Sequence, residues 1–209
     1  MGDYKLLIKG KLVSGDEAMT VINPATEEAI VECPKASEAQ LNVAVAAAKE
    51  AFPAWSATSI EERKKVIGAI ADVIEANATE LAQLLTQEQG KPLADATGEV
   101  FGMAAFFRYF MSLDLPVKVI DDSDGRRVEA HRRPLGVVGA IVPWNFPLIL
   151  MAFKVPPALI AGNTMVLKPA PTTPLSTLRL GELIKDIVPA GVLNIITDAN
   201  DLGAPQTAH

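Results

Sequence analysis

Three uninterrupted apolar runs in the last third of the chain constrain its fold more than any other feature: GVVGAIV (136–142), TMVLKP (164–169) and VLNIIT (192–197). A strand with one wet face alternates apolar and polar residues. Runs without alternation belong to strands buried on both faces, as in a parallel sheet covered by helices. Between the first two runs lies the helix-like LILMAFKVPPALIAG (148–162). Between the second and third lies TPLSTLRLGELIKDIVPAG (173–191), with Thr173 expected as N-cap and Pro174 at the first helical position. The pattern is β-α-β-α-β. It predicts an α/β fold, the start of a doubly wound parallel sheet with right-handed crossovers. Three such strands alone would leave an apolar edge, so an oligomeric or aggregation-prone chain is expected.

The stretch from Gly136 to Leu167 has a single charge, Lys154, and is long enough to span a bilayer. It also holds Pro143, Pro147, Pro156 and Pro157, with Asn145 and Asn163. That many helix breakers argue against one membrane helix and for buried strands joined by a helix.

Upstream, YKLLIKGKLVSG suggests a hairpin, and MTVINPATEEAIVECP two short strands around a turn at Asn23-Pro24. Helical patterns follow. Ser37 with Gln40, and Ser59 with Glu62, are spaced as capping boxes. Leu41, Val45 and Ala48 share one helical face; Val66, Ile67, Ile70, Val73 and Ile74 share another. The second pattern is expected to run on through ATELAQLLTQEQ to Gly90. LADATGEVFGMAAFFRYFMSLD forms the next helix, with Phe101, Phe106, Phe107 and Phe110 expected in the core. LPVKVIDDSDGRRVEAHRRPLG then reads as two polar strands around an Asp- and Gly-rich turn: a surface hairpin, or an arm that adds to another chain. This divides the chain into residues 1–115 (strands and helices), 116–134 (hairpin) and 135–209 (parallel sheet).

The 209 residues are 49% apolar, enough to bury a core without disulfides. A net charge of −6 argues against nucleic acid as a partner. The most basic stretch, RRVEAHRRP (126–134), alternates with other residue types and is expected to be a solvated strand. Cys33 is the single cysteine, and His131 and His209 are far apart, so no disulfide or metal site is expected. MGDYKLLIKG lacks the apolar stretch of a signal peptide, and the whole fits a cytoplasmic protein.

In parallel sheets ligands bind beyond the carboxyl ends of the strands. Two candidates stand there, PWN (143–145) and KPAP (168–171). Lys168 is either a surface lysine or a cation for a ribose hydroxyl or phosphate. Asn145, read alone, is a turn asparagine bonded to local backbone. The alternative is a fixed neutral donor for an oxyanion formed during reaction. No GxGxxG follows the first strand, so any dinucleotide is held in another way.

Taken together, GVVGAIVPWNFPL, AGNTMVLKPA, PAGVLNIIT, EQGKPLADATGEV and NPATEEAI resemble, in order, the N-terminal part of the aldehyde dehydrogenase superfamily. The resemblance runs from about Lys5 onward. It implies an NAD or NADP site lined by Ile141, Val142, Pro143, Trp144 and Asn145, and by Lys168, Pro169, Ala170 and Pro171. Asn145 would stabilise the oxyanion of a thiohemiacetal, and Lys168 would contact the adenosine ribose. The hairpin at 116–134 would be the arm of a homo-oligomer, and the substrate a small aldehyde.

The same resemblance shows departures. The family's nucleophilic cysteine and general-base glutamate belong to a later part of its sequence. Cys33 does not match that cysteine, so a truncated chain, inactive by itself, is expected. Pro171 stands where many NAD-preferring members carry glutamate, which leaves NADP+ open. Asp198 stands where relatives have glycine and would add negative charge near the adenine edge. Rival readings are a non-catalytic nucleotide-binding or assembly module and a structural protein derived from the enzyme fold.

Overall fold

The computed structural model describes residues 3–200. The first two residues and DLGAPQTAH, with His209, lie outside the described residues. In chain order the elements are β1 (Leu6–Ile8), β2 (Lys11–Val13), β3 (Glu17–Ile22), β4 (Ala29–Lys35), α1 (Glu38–Ala57), α2 (Ile60–Ala76), α3 (Ala78–Gln89) and α4 (Leu93–Met111). There follow β5 (Lys118–Ser123), β6 (Arg126–Ala130), β7 (Val137–Ile141), α5 (Pro147–Ala152), α6 (Val155–Ile160), β8 (Thr164–Lys168), α7 (Leu175–Ile184) and β9 (Leu193–Ile195).

The three apolar runs are β7, β8 and β9, and they pair in parallel, as their lack of alternation requires. β8 and β9 are buried at every position, but β7, expected to be buried on both faces, is the edge strand and leaves Gly139 and Ile141 exposed. The sheet has five strands, in the order β2-β1-β9-β8-β7. Of the two edges of the three-strand core, the one at β9 is thus covered and the one at β7 is open. The N-terminal hairpin folds back, and β1 pairs antiparallel with β9 through Leu7 and Ile195. Leu6, Leu7 and Ile8 are all buried, while exposed Lys11 on β2 marks the outer edge, where a lysine opposes further strand addition. β7 ends the other side of the sheet.

Helix α1 packs along β8, anchored by the Thr164 hydroxyl, which donates to the Ala48 carbonyl at 2.9 Å. Leu41, Val45 and Ala48 are buried there. Both capping boxes form, Ser37 with Gln40 and Ser59 with Glu62. The run expected as one helix from Ser59 to Gly90 is two. Asn77 leaves helical geometry at φ −112°, ψ 18°, and its side-chain amide donates to the Val73 carbonyl at 2.8 Å. That bond satisfies a terminal carbonyl and lets α3 turn onto α4 and α7. Gly90 ends α3 at φ +88°, where a Cβ would lie 2.8 Å from the Pro24 ring.

Other expectations need correction. The helix between β7 and β8 is two short helices, because Pro156 and Pro157 lack the N–H groups a continuous helix would use. Phe107 is buried, but Phe101 is 52% exposed: the inner face of α4 is already filled by Val100, Met103, Ala104 and Phe107. The hairpin β5–β6 forms its own two-stranded sheet with mostly exposed side chains. No helix among the described residues is long and apolar enough to cross a membrane.

Candidate nucleotide site at the strand ends

The carboxyl ends of β7 and β8 are held side by side. Ile141 is the register partner of Lys168, and the Val142 N–H donates to the Lys168 carbonyl at 3.0 Å. Beyond this lock Val142 is buried, and Pro143, Trp144, Asn145 and Phe146 are exposed. The chain therefore leaves the sheet at a rim and offers an indole and a carboxamide to solvent. The Asn145 side chain has no hydrogen-bond partner among the described residues. It is not the locally bonded turn asparagine that the sequence alone suggests.

The loop is held by its backbone instead. The Asn145 carbonyl accepts from Lys91 Nζ at 3.2 Å and from Gln89 Nε2 at 3.5 Å. Lys91 Nζ also lies 4.1 Å from the centre of the Phe146 ring, a cation–π contact. The same ammonium pairs with the Glu99 carboxylate, and both side chains are at least nine-tenths buried. Glu99 Oε1 in turn accepts from the Leu148 and Ile149 N–H groups at 2.8 and 3.3 Å. It thereby satisfies the free N–H groups at the start of α5. Asn145, Phe146 and Ile149 form one wall of a cleft of about 620 Å³, with Lys91, Gly98 and Glu99 on α4 and its approach opposite.

The second segment follows the same logic. Thr173 does not cap α7: a buried carboxylate from α3 reaches the orphan N–H groups first. Glu88 accepts from the Leu175 N–H at 2.6 Å, the Ser176 N–H at 3.0 Å and the Ser176 hydroxyl. Burial pushes the Glu88 carboxyl up to about 7, against the pull of those three bonds. Pro169 and Ala170 are buried and Pro171 half-buried.

Lys168 is neither a surface lysine nor a free cation. Its side chain is 2% exposed, and Nζ lies 2.7 Å from Asp198 Oδ1 and 3.1 Å from Asn200 Oδ1. Asp198 is therefore the counter-ion of Lys168, which corrects the reading of it as an added charge at the adenine edge. Cys33 is 1% exposed on β4, and burial pushes its thiol up to about 12. Such a thiol is almost wholly protonated near neutral pH and is no nucleophile.

The sequence reading placed Asn145 and Lys168 at the rim but missed the residues that fix it there: Glu88, Gln89, Lys91 and Glu99. Their signal was faint. Glu88, Gln89 and Glu99 are polar residues on helices and Lys91 lies in the connection between α3 and α4, and such positions also suit a solvated face.

The family model for the aldehyde dehydrogenase family matches residues 12–209. A Pseudomonas protein named probable aldehyde dehydrogenase is 43% identical over 207 residues, 99% of this chain and 42% of its own length. The NAD+ complex of an aldehyde dehydrogenase from Bacillus cereus superposes with a TM-score of 0.95 at 34% identity, covering 100% of this chain and 44% of that one. An NADP-dependent enzyme of E. coli superposes with a TM-score of 0.90 at 38% identity, covering 95% and 42%. The chain thus spans less than half the length of the relatives it matches. Over that span, with the fold, the strand-end rim and the motif order all in agreement, the chain belongs to the aldehyde dehydrogenase family.

Proposed function

We propose that this chain provides the nucleotide rim and the oxyanion donor for NAD(P)-dependent oxidation of an aldehyde to a carboxylate. The observation that carries the reading is the register of Ile141 with Lys168, which sets the Pro143–Asn145 loop beside the Lys168–Pro171 segment. In this reading Ile141, Val142, Pro143 and Trp144 line the nucleotide, with Lys168, Pro169, Ala170 and Pro171 along its ribose side. Bound NAD(P)+ supplies the hydride acceptor. Asn145 has an unengaged amide on a backbone anchored by Lys91 and Gln89, and donates to the oxygen that becomes negative when a thiolate adds to the aldehyde. The thiolate does not come from Cys33, which is buried and protonated. The related NAD+ complex and the NADP-dependent enzyme both support a dinucleotide here. The hairpin β5–β6, with Val119 and Ile120 exposed at 42% and 64%, suits self-association. A cytoplasmic setting suits the single free thiol.

Trp144 makes the reading testable on this chain. It is 59% exposed, whereas Trp55 is 3% exposed. Titration with NAD+ or NADP+ is expected to change Trp144 emission saturably, and Trp144→Phe to remove the signal. Flat emission for both nucleotides, with no heat in calorimetry, would remove the nucleotide role. With the nucleophile-bearing part of a relative joined to the chain, Asn145→Ala should lower kcat by roughly 10² to 10³ and leave nucleotide affinity in place.

A further inference from the structure

The basic stretch that ends in Arg132 and Arg133 has no part in the nucleotide rim. It borders a cavity of about 470 Å³, with Arg63 of α2 and the apolar side chains of Ile60, Leu115 and Pro134. Pro134 precedes β7, and Ala161, also at the cavity, precedes β8. The cavity therefore opens at the amino ends of strands whose carboxyl ends carry the rim. Five-residue strands put the two edges roughly 15 Å apart.

The charge around this cavity is unbalanced. Asp114 is the single acidic residue in its wall, and its carboxylate lies 2.5 Å from Lys64 Nζ. Arg132 and Arg133 have no acidic partner among the described residues. Arg63 is fixed in place: Nη1 donates to the Thr58 carbonyl at 2.9 Å and the Ser56 carbonyl at 3.4 Å. Its Nε is buried with no partner. Burial holds the Arg63 guanidinium below its ordinary pKa, against the pull of the neighbouring Glu62 carboxylate. Gly162 makes room for it, because a Cβ there would lie 3.0 Å from Nη1.

We infer that this cavity is a binding site for a small multivalent oxyanion, a phosphate ester or a di- or tricarboxylate, separate from the nucleotide rim. Guanidinium groups present forked donors that match phosphate and carboxylate oxygens. The cavity volume fits a small molecule. A long polyanion is disfavoured, because Asp121, Asp122 and Glu129 line the adjoining hairpin and the chain as a whole is negative.

Calorimetry of the 209-residue chain with inorganic pyrophosphate, and separately with citrate, tests the site and distinguishes phosphoryl from carboxylate ligands. Saturable binding of one ligand per chain is expected for at least one probe. Arg132→Ser with Arg133→Ser should weaken it at least about tenfold, since each charged hydrogen bond lost is worth that much or more. Both residues are exposed, so the double variant should keep the wild-type melting temperature. Trp144 emission should stay constant during the pyrophosphate titration, because the indole lies on the other edge. The site is refuted by absence of saturable binding for both probes, by undiminished affinity in the double variant, or by a Trp144 response that puts pyrophosphate at the rim.

Discussion

Lys168 and Asp198 form a buried ion pair at the carboxyl end of the sheet, with Nζ 2.7 Å from Oδ1 and side chains 2% and 0% exposed. The pair ties the end of β8 to the segment after β9. It also sets how much positive charge the carboxyl end of β8 can offer.

Asp198→Asn keeps the size and an acceptor but removes the anion. The Lys168 ammonium then has no full counter-charge, and a 2′-phosphate becomes a better partner. The variant should favour NADP+ over NAD+ by at least roughly fivefold relative to the wild type, since about 1 kcal/mol is the effect of one charge at about 4 Å even in water and the pair is buried. An unchanged ratio of the two dissociation constants would show that Lys168 does not face the ribose. Asp198→Ala, which leaves the buried cation without its counter-charge, should lower stability by about 3–5 kcal/mol in urea unfolding.

Glu88 links stability to pH. Its carboxyl is raised to about 7 in the folded chain from 4.5 in the unfolded chain, so the folded state binds the proton more tightly. The stabilisation this gives is complete below about pH 4.5 and is lost as pH rises through 7. Glu88→Gln cannot ionise. The stability difference between wild type and Glu88→Gln should therefore shift against the wild type by a few kcal/mol between pH 4.5 and 7. A pH-independent difference would contradict the assignment.

Lys91 and Glu99 should behave as a coupled unit. Lys91→Met leaves Glu99 buried without its counter-charge and should cost about 3–5 kcal/mol. Glu99→Gln keeps an acceptor for the Leu148 N–H and should cost less. In a double-mutant cycle followed by thermal unfolding, the coupling between them should reach about 1–3 kcal/mol. Additive losses would mean that the pair contributes only separate packing.

Cys33 gives a simple check on burial. With the thiol 1% exposed and raised to about 12, disulfide-exchange reagents at pH 8 should leave it unmodified in the native chain and label it fully in guanidinium. Consistent with that, the 209-residue chain should show no aldehyde oxidation with NAD+ or NADP+. Turnover by material of verified intact mass would overturn this.

The two capping boxes and the parallel sheet were legible because they rest on short-range patterns: Ser37 with Gln40, Ser59 with Glu62, and apolar runs that do not alternate. The break at Asn77 was not legible, since Asn is tolerated in helices and the apolar stripe continues past it. Phe101 was misplaced for a related reason. Composition marks α4 as rich in apolar residues, but only its neighbours decide which face they fill.

By itself, the sequence determined that β7, β8 and β9 would pair in parallel, that β8 and β9 would be buried, and that Asn145 and Lys168 would follow the strands at one rim, because strand character and strand polarity are properties of local pattern; the exposure of β7 was set by its place at the sheet edge. Tertiary structure alone decided that Glu88 and Glu99 cap α7 and α5, that Asp198 neutralises Lys168, and that β1 closes the sheet beside β9. These contacts join residues 30 to 188 positions apart in the chain. A buried charge or an open strand edge states what it needs, but packing chooses which distant residue supplies it.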